Sequence, residues 1–145
     1  MFRHILVPTD LTERTVQVLD IAVKMAVETE CRVTLLHVIE VIQDAAFEDF
    51  EDFYTKLGRR AIRKMDDLIG QYRGRPIGIG REITYGGRVR EIIRFATEND
   101  IDLIVLSSHP ITADNMAEGW GTISYKVGIL AHCPVMLVKQ ADILS

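Results

Sequence analysis

A chain of 145 residues, 48% hydrophobic and 26% charged, has the size of one domain with a real core and the make-up of an ordinary soluble globular protein. Its net charge of −4 argues against nucleic acid or an anionic membrane as a main partner, because both attract concentrated Lys and Arg. No basic-then-apolar leader precedes the first strand and no apolar run approaches the ~20 residues of a membrane span, so the expected location is the cytoplasm.

The apolar pattern then alternates between two periods along the chain. "HILVPT" (4–9) is a short continuous apolar run, as a buried parallel strand should be. Thr12 stands where it would cap a helix beginning at Glu13, and Thr15, Val18/Leu19, Ala22 and Met25/Ala26 recur at helical spacing. "RVTLLHVI" (32–39) is the second strand. After a connector at 40–47, the residues Phe50, Phe53/Tyr54, Leu57, Ala61, Met65, Leu68 and Tyr72 form one stripe of a long amphipathic helix. Arg59, Arg60, Arg63 and Lys64 fall largely off the stripe and read as a solvated basic flank. Gly74 and Pro76 stop this helix.

"GREITYG" (80–86) is a more polar strand, the pattern of an edge. Val89, Ile92/Ile93 and Ala96 mark a third helix, and "DLIVLS" (102–107) is the most apolar strand. A loop of about fourteen residues follows, long enough in a compact domain to suggest function. Ile123, Val127 and Leu130/Ala131 then give a last helix and "PVMLVK" (134–139) a last strand. The sum is β-α-β-α-β-α-β-α-β over 1–145 with no linker. The fold class predicted is α/β, a single open, doubly wound, five-stranded parallel sheet with helices on both faces.

Cys31 and Cys133 lack any Cys-x-x-Cys spacing and read as small buried hydrophobes. His4, His37, His109 and His132 show no zinc-ligand spacing, so no metal is expected. No Walker lysine motif, nucleophile elbow or His-x-Glu motif is present either. His37 and His109 read as structural, having no Ser or Cys partner inferable from sequence, and no catalytic residue is assigned.

In an open parallel sheet, ligands bind beyond the carboxyl ends of the strands, where strand order reverses. Asp10 ends the first strand, Val38 and Glu40 the second, and the 107–122 loop follows the fourth. Arg88 and Arg90, after "GG", would reach a phosphate if their helix abuts that place; a solvated face is the default.

Five segments in order, "HILVPTDLTERT", "VTLLHV", "GGRVREIIRFATENDIDLIVLSS", "GTISYKV" and "HCPVMLVK", resemble the universal stress protein (UspA-type) family over essentially the whole chain. The resemblance implies strand order 3-2-1-4-5, a homodimer often built through the last strand and, in one branch, an ATP at the strand ends. In that branch an aspartate after the first strand contacts the adenosine and a valine ending the second lies near the adenine; Asp10 and Val38 match them. A Gly-x-x-Gly, nine residues and a Gly-Ser/Thr wrap the phosphates; Gly121 and Thr122 match the closing pair, with Ser124 one turn on. "SSHP" replaces the first half, so Ser107 and Pro110 stand for the glycines, and ten residues separate Pro110 from Gly121. Proline fixes φ and has no N–H to aim at an anion, while the Ser107 hydroxyl can itself donate.

Gly119, Gly121 and Thr122 keep donors at a helix start, where the dipole favours anions; the alternative is a helix start capped by Thr122 or Ser124. Asp10 is likewise either a ligand contact or a helix cap, and Val38 a pocket wall. The predicted nucleotide-contact set is Asp10, Val38, Ser107, Gly119, Gly121, Thr122 and Ser124. Two functions stand: a non-enzymatic regulatory protein with a weak or vestigial nucleotide site, or an ATP-binding protein with slow hydrolysis. A flavin-type carrier would need an aromatic-lined site, for which the loop offers Trp120 and His109. If the last strand lies at an edge, "PVMLVK" invites symmetric pairing with a second copy, and the expected partner is the chain itself.

Overall fold

The computed structural model describes residues 2–41, 47–108 and 120–139. In chain order it holds β1 (His4–Thr9), α1 (Arg14–Thr29), β2 (Arg32–Ile39), a short 3-10 turn (Phe47–Phe50), α2 (Glu51–Gly70) and β3 (Ile79–Tyr85), then α3 (Arg88–Glu98), β4 (Leu103–Ser108), α4 (Trp120–Leu130) and β5 (Val135–Lys139). The strands form one parallel sheet in the order β3-β2-β1-β4-β5, with the strand order reversing between β1 and β4. Every crossover carries a helix, as parallel neighbours require. No helix among the described residues is long and apolar enough to cross a membrane.

Alternate residues of each strand point to opposite faces, and both faces are covered. On one, Ile5, Val7, Val33, Leu35 and Val105 meet Val18, Leu19, Ala22 and Met65 of α1 and α2. On the other, Leu6, Leu36, Val38, Ile104 and Leu106 meet Ile92, Ala96 and Val127 of α3 and α4. β1 and β4 are buried along their whole length, which accounts for their apolar runs at 5–7 and 103–106. β3 is half-exposed at the edge, the position its polar sequence predicts.

Several sequence boundaries shift. β3 begins and ends one residue earlier than 80–86, and β5 begins at Val135. The apolar run of β4 stops at Leu106, yet backbone pairing continues through Ser107↔Val138 and Ser108↔Lys139. Hydrogen bonding, not hydrophobicity, sets that strand's end. Thr12 is not the helix cap: Glu13 occupies that position with helical backbone angles and no side-chain cap bond. The long stripe holds at Tyr54, Ala61, Met65 and Tyr72, but Phe50 and Phe53 are 38% and 53% exposed.

Candidate functional site

At the end of β1 the chain makes a tight, self-bonded turn. Thr9 Oγ1 accepts from the Leu11 N–H at 2.9 Å and lies 2.6 Å from the Thr15 hydroxyl. Leu11 takes a left-handed conformation, φ 59°, which costs a non-glycine residue on the order of 1–2 kcal/mol. Asp10 holds the turn from its other side: its Oδ1 accepts from the Thr12 N–H at 3.1 Å and the Thr12 hydroxyl at 2.7 Å. Asp10 therefore braces the approach to α1 through Thr12, and neither residue caps the helix. No partner among the described residues meets Asp10 Oδ2, and this oxygen stays able to accept.

Asp10 opens onto a cleft of about 440 Å³ between the ends of β1 and β2 and the helix α2. Val38, Ile39 and Glu40 form its β2 side, and Phe53, Leu57, Arg60, Ala61 and Lys64 its α2 side. Arg88 closes it from the first turn of α3. Gly86, with φ 148° and the Glu91 side chain 3.1 Å from where a Cβ would stand, makes the bend that lets α3 start here. Arg88 lies 3.9 Å from Glu40, in a pair that is solvent-exposed and contributes little on its own.

His37 lines the same cleft. Its Nδ1 lies 2.9 Å from the Thr9 carbonyl, which can only accept, so Nδ1 carries the proton and Nε2 is the acceptor in the neutral ring. Burial pushes its pKa below the ordinary value, and the charges of Arg88 and Lys64 push the same way; the Thr9 carbonyl and Asp10 oppose them. Among the described residues, no Ser or Cys is hydrogen-bonded to it.

The remaining predicted residues scatter. Val38 is buried and reaches the cleft wall. Ser107 is buried inside β4, not in the loop, opposite Val138. Ser124 is fully buried in α4 and donates its hydroxyl to the Ser107 carbonyl at 2.6 Å; it fastens α4 to β4. Gly121 and Thr122 lie in the first turn of α4. Gly119, together with His109, Pro110 and positions 42–46 of the connector, lies outside the described residues. Cys31 and Cys133 are unpaired, the first buried and the second half-buried. No group of three or more His, Cys, Asp or Glu side chains gathers for a metal among the described residues.

Sequence reasoning missed Arg60 and Lys64. Both sit just off the apolar stripe, one helical turn apart, and the stripe's edge faces the cleft instead of open solvent. Their spacing of four residues was the available signal.

An open, doubly wound parallel sheet with a basic cleft at the carboxyl ends of two of its strands defines a class: small α/β domains with helices on both faces of one sheet. Comparison narrows the class. Residues 1–139 match the model of the universal stress protein family, and the chain belongs to that family. It is 24% identical over 146 residues to a universal stress protein of Methanocaldococcus jannaschii, covering 97% of this chain and 84% of the relative. The solved structure of the protein MJ0577 superposes with a TM-score of 0.76 at 27% identity, covering 98% of this chain and 99% of the other. A universal stress protein from Archaeoglobus fulgidus, solved in complex with dAMP, gives a TM-score of 0.67 at 20% identity, covering 95% and 98%; at that identity the likeness is one of fold.

Proposed function

We propose that this chain is a non-enzymatic regulatory member of its family, working in the cytoplasm, with a weak nucleotide site at the carboxyl ends of its strands. The observation that carries the reading is Asp10. One of its oxygens builds the turn and the other has no partner among the described residues, beside the Val38 wall of a cleft. That geometry suits a sugar hydroxyl donating to the carboxylate and a flat base lying on Val38. The dAMP complex of the Archaeoglobus fulgidus relative supports a nucleotide over other anions.

Weakness follows from the segment that the family pattern assigns to the phosphates. Ser107 is held in the strand, the Ser124 hydroxyl is directed at a backbone carbonyl, and Pro110 brings no N–H. Among the described residues, no nucleophile is hydrogen-bonded to a general base in the cleft, which supports sensing over catalysis. One observation favours the second reading, ATP binding with slow hydrolysis: Gly121 and Thr122 occupy the first turn of α4, where N–H groups and the helix dipole favour phosphate.

Titration with ATP and magnesium, followed by Trp120 fluorescence and by calorimetry, separates the two. The regulatory reading expects no saturation below about millimolar ATP, some 4 kcal/mol of binding; saturation at micromolar ATP with release of phosphate establishes the second.

The domain is further proposed to form a homodimer through β5. This strand is a sheet edge, and Met136 on it is exposed at 37%, with Tyr125, Ile129 and Leu130 of α4 at 60–63%. Such an apolar patch beside an unpaired edge favours a symmetric partner.

A further inference from the structure

The α2 wall of the cleft changes character along its length. Phe53, Leu57, Arg60 and Lys64 recur at intervals of four, three and four residues, so they share one helix face. All four line the cleft. Phe53 offers an aromatic surface, 53% exposed, its ring held edge-on against Tyr54 with centroids 5.5 Å apart. Arg60 and Lys64 follow on the same face, and Arg88 adds a third cation from α3. Phe53 to Arg60 is a rise of about 10 Å, the scale of a nucleoside monophosphate from base to phosphate.

We infer that Arg60, Lys64 and Arg88 form a phosphate subsite for a nucleoside monophosphate, with Phe53 as the platform for its base. This rests on the nucleotide reading above, adds Phe53 to Val38 as a surface for the base, and gives the phosphate to α2 and α3 in place of the segment the family pattern assigns to it. Three cations face the two carboxylates Asp10 and Glu40 in the cleft, leaving an excess of positive charge. Neither Arg60 nor Lys64 has an ion-pair partner among the described residues, and Arg88 has only the exposed, long contact to Glu40. A phosphate dianion meets three donors there without first breaking a strong pair, and an Arg fork binds it through two hydrogen bonds. With only these contacts the site suits one phosphate group.

His37 supplies a readout. Burial, and after it the cations Arg88 and Lys64, hold its proton affinity below the ordinary value. The charged groups around it are Asp10 from the β1 end, Glu40 from β2, Arg60 and Lys64 from α2 and Arg88 from α3. A dianion seated among the cations offsets their effect on the ring and raises its proton affinity. Monophosphate binding and proton uptake by His37 are then coupled, and binding tightens as pH falls through the His37 titration.

The experiment compares AMP, adenosine and inorganic phosphate on the full chain and on an Arg60→Gln/Lys64→Gln variant, by calorimetry and by the NMR titration of His37. Both side chains are exposed, and circular dichroism checks that the variant keeps its fold. AMP affinity is expected to fall at least about tenfold in the variant, while adenosine affinity stays unchanged. AMP should raise the His37 midpoint in the native chain and not in the variant. Equal AMP affinity in both overturns the subsite and leaves the nucleotide reading standing. A His37 shift with inorganic phosphate that the variant abolishes, with no binding of adenosine or AMP, upholds the phosphate subsite and overturns the nucleotide reading. No response to any of the three overturns both.

Discussion

The Ser124 hydroxyl donates to the Ser107 carbonyl at 2.6 Å, and Ser124 has no exposed surface. This bond joins the first turns of α4 to the last turn-ward residues of β4, on either side of the long loop. Removing the hydroxyl leaves a strand-end carbonyl with one lost donor in a dry place. Ser124→Ala is expected to cost about 1–3 kcal/mol of stability, read as a lower urea midpoint with unchanged slope. A stability unchanged by the substitution, with nucleotide affinity lost instead, would mean that Ser124 acts on the ligand.

The two positions of "SSHP" that depart from the family pattern should respond differently to glycine. Ser107 is paired in β4, so Ser107→Gly loosens a strand and is expected to cost about 0.5–1 kcal/mol with no gain in ATP affinity. Pro110→Gly restores an N–H and conformational freedom, and calorimetry should show tighter ATP binding. The reverse pattern would place the phosphate contact at Ser107.

Asp10 has two duties that two substitutions separate. Asp10→Ala removes the acceptor for Thr12 and the oxygen that lacks a partner, so both stability and nucleotide affinity should fall, each by about 1 kcal/mol. Asp10→Asn keeps an acceptor for the Thr12 N–H and should retain most of the stability. Equal affinities for the native chain and Asp10→Ala would remove this residue from the site.

Stability should decline on mild acidification. Burial lowers the pKa of both His4 and His37 in the folded chain, while the unfolded chain titrates near the ordinary value of about 6.5. Between the folded value and that point the unfolded state holds more protons, so stability rises with pH. It is full above about 6.5 and falls as pH drops toward the folded values. Urea midpoints at pH 7.5 and 5.5 should differ in that direction, and His4→Gln should flatten the difference. His4 is the more informative site, because its Nε2 is bonded to Thr34 Oγ1 at 2.7 Å and its Nδ1 is buried with no hydrogen-bond partner among the described residues. A midpoint higher at pH 5.5 would contradict the assignment.

Sedimentation equilibrium at micromolar concentration should give twice the 16.4 kDa of one chain. Ile129→Asp on the exposed face of α4 and Met136→Lys on β5 should each shift it toward monomer. A native chain that sediments as a monomer would sink the β5 dimer.

The order of elements was legible because hydrophobic period survives in a single chain: the unbroken run of β4 announces two covered faces, and the mixed pattern of β3 an edge. Family likeness carried the strand order, and the structure bears it out. The site was legible in part. Asp10 follows β1 and Val38 lies at the end of β2; the two strands pair in parallel, so their carboxyl ends lie side by side whatever the side chains are.

What the sequence determined by itself, then, was local: which segments are strands or helices, which faces are apolar, and where proline forbids a donor. Those depend on chemistry within a few residues. Tertiary structure decided the rest. Ser107 belongs to a strand because β5 lies beside it, and Ser124 became a fastening because α4 packs over β4. Arg60 and Lys64 line a cleft because α2 lies across the end of β2. Each depends on contacts between residues far apart in the chain, and a side chain reads the same in sequence whether water or another element stands opposite.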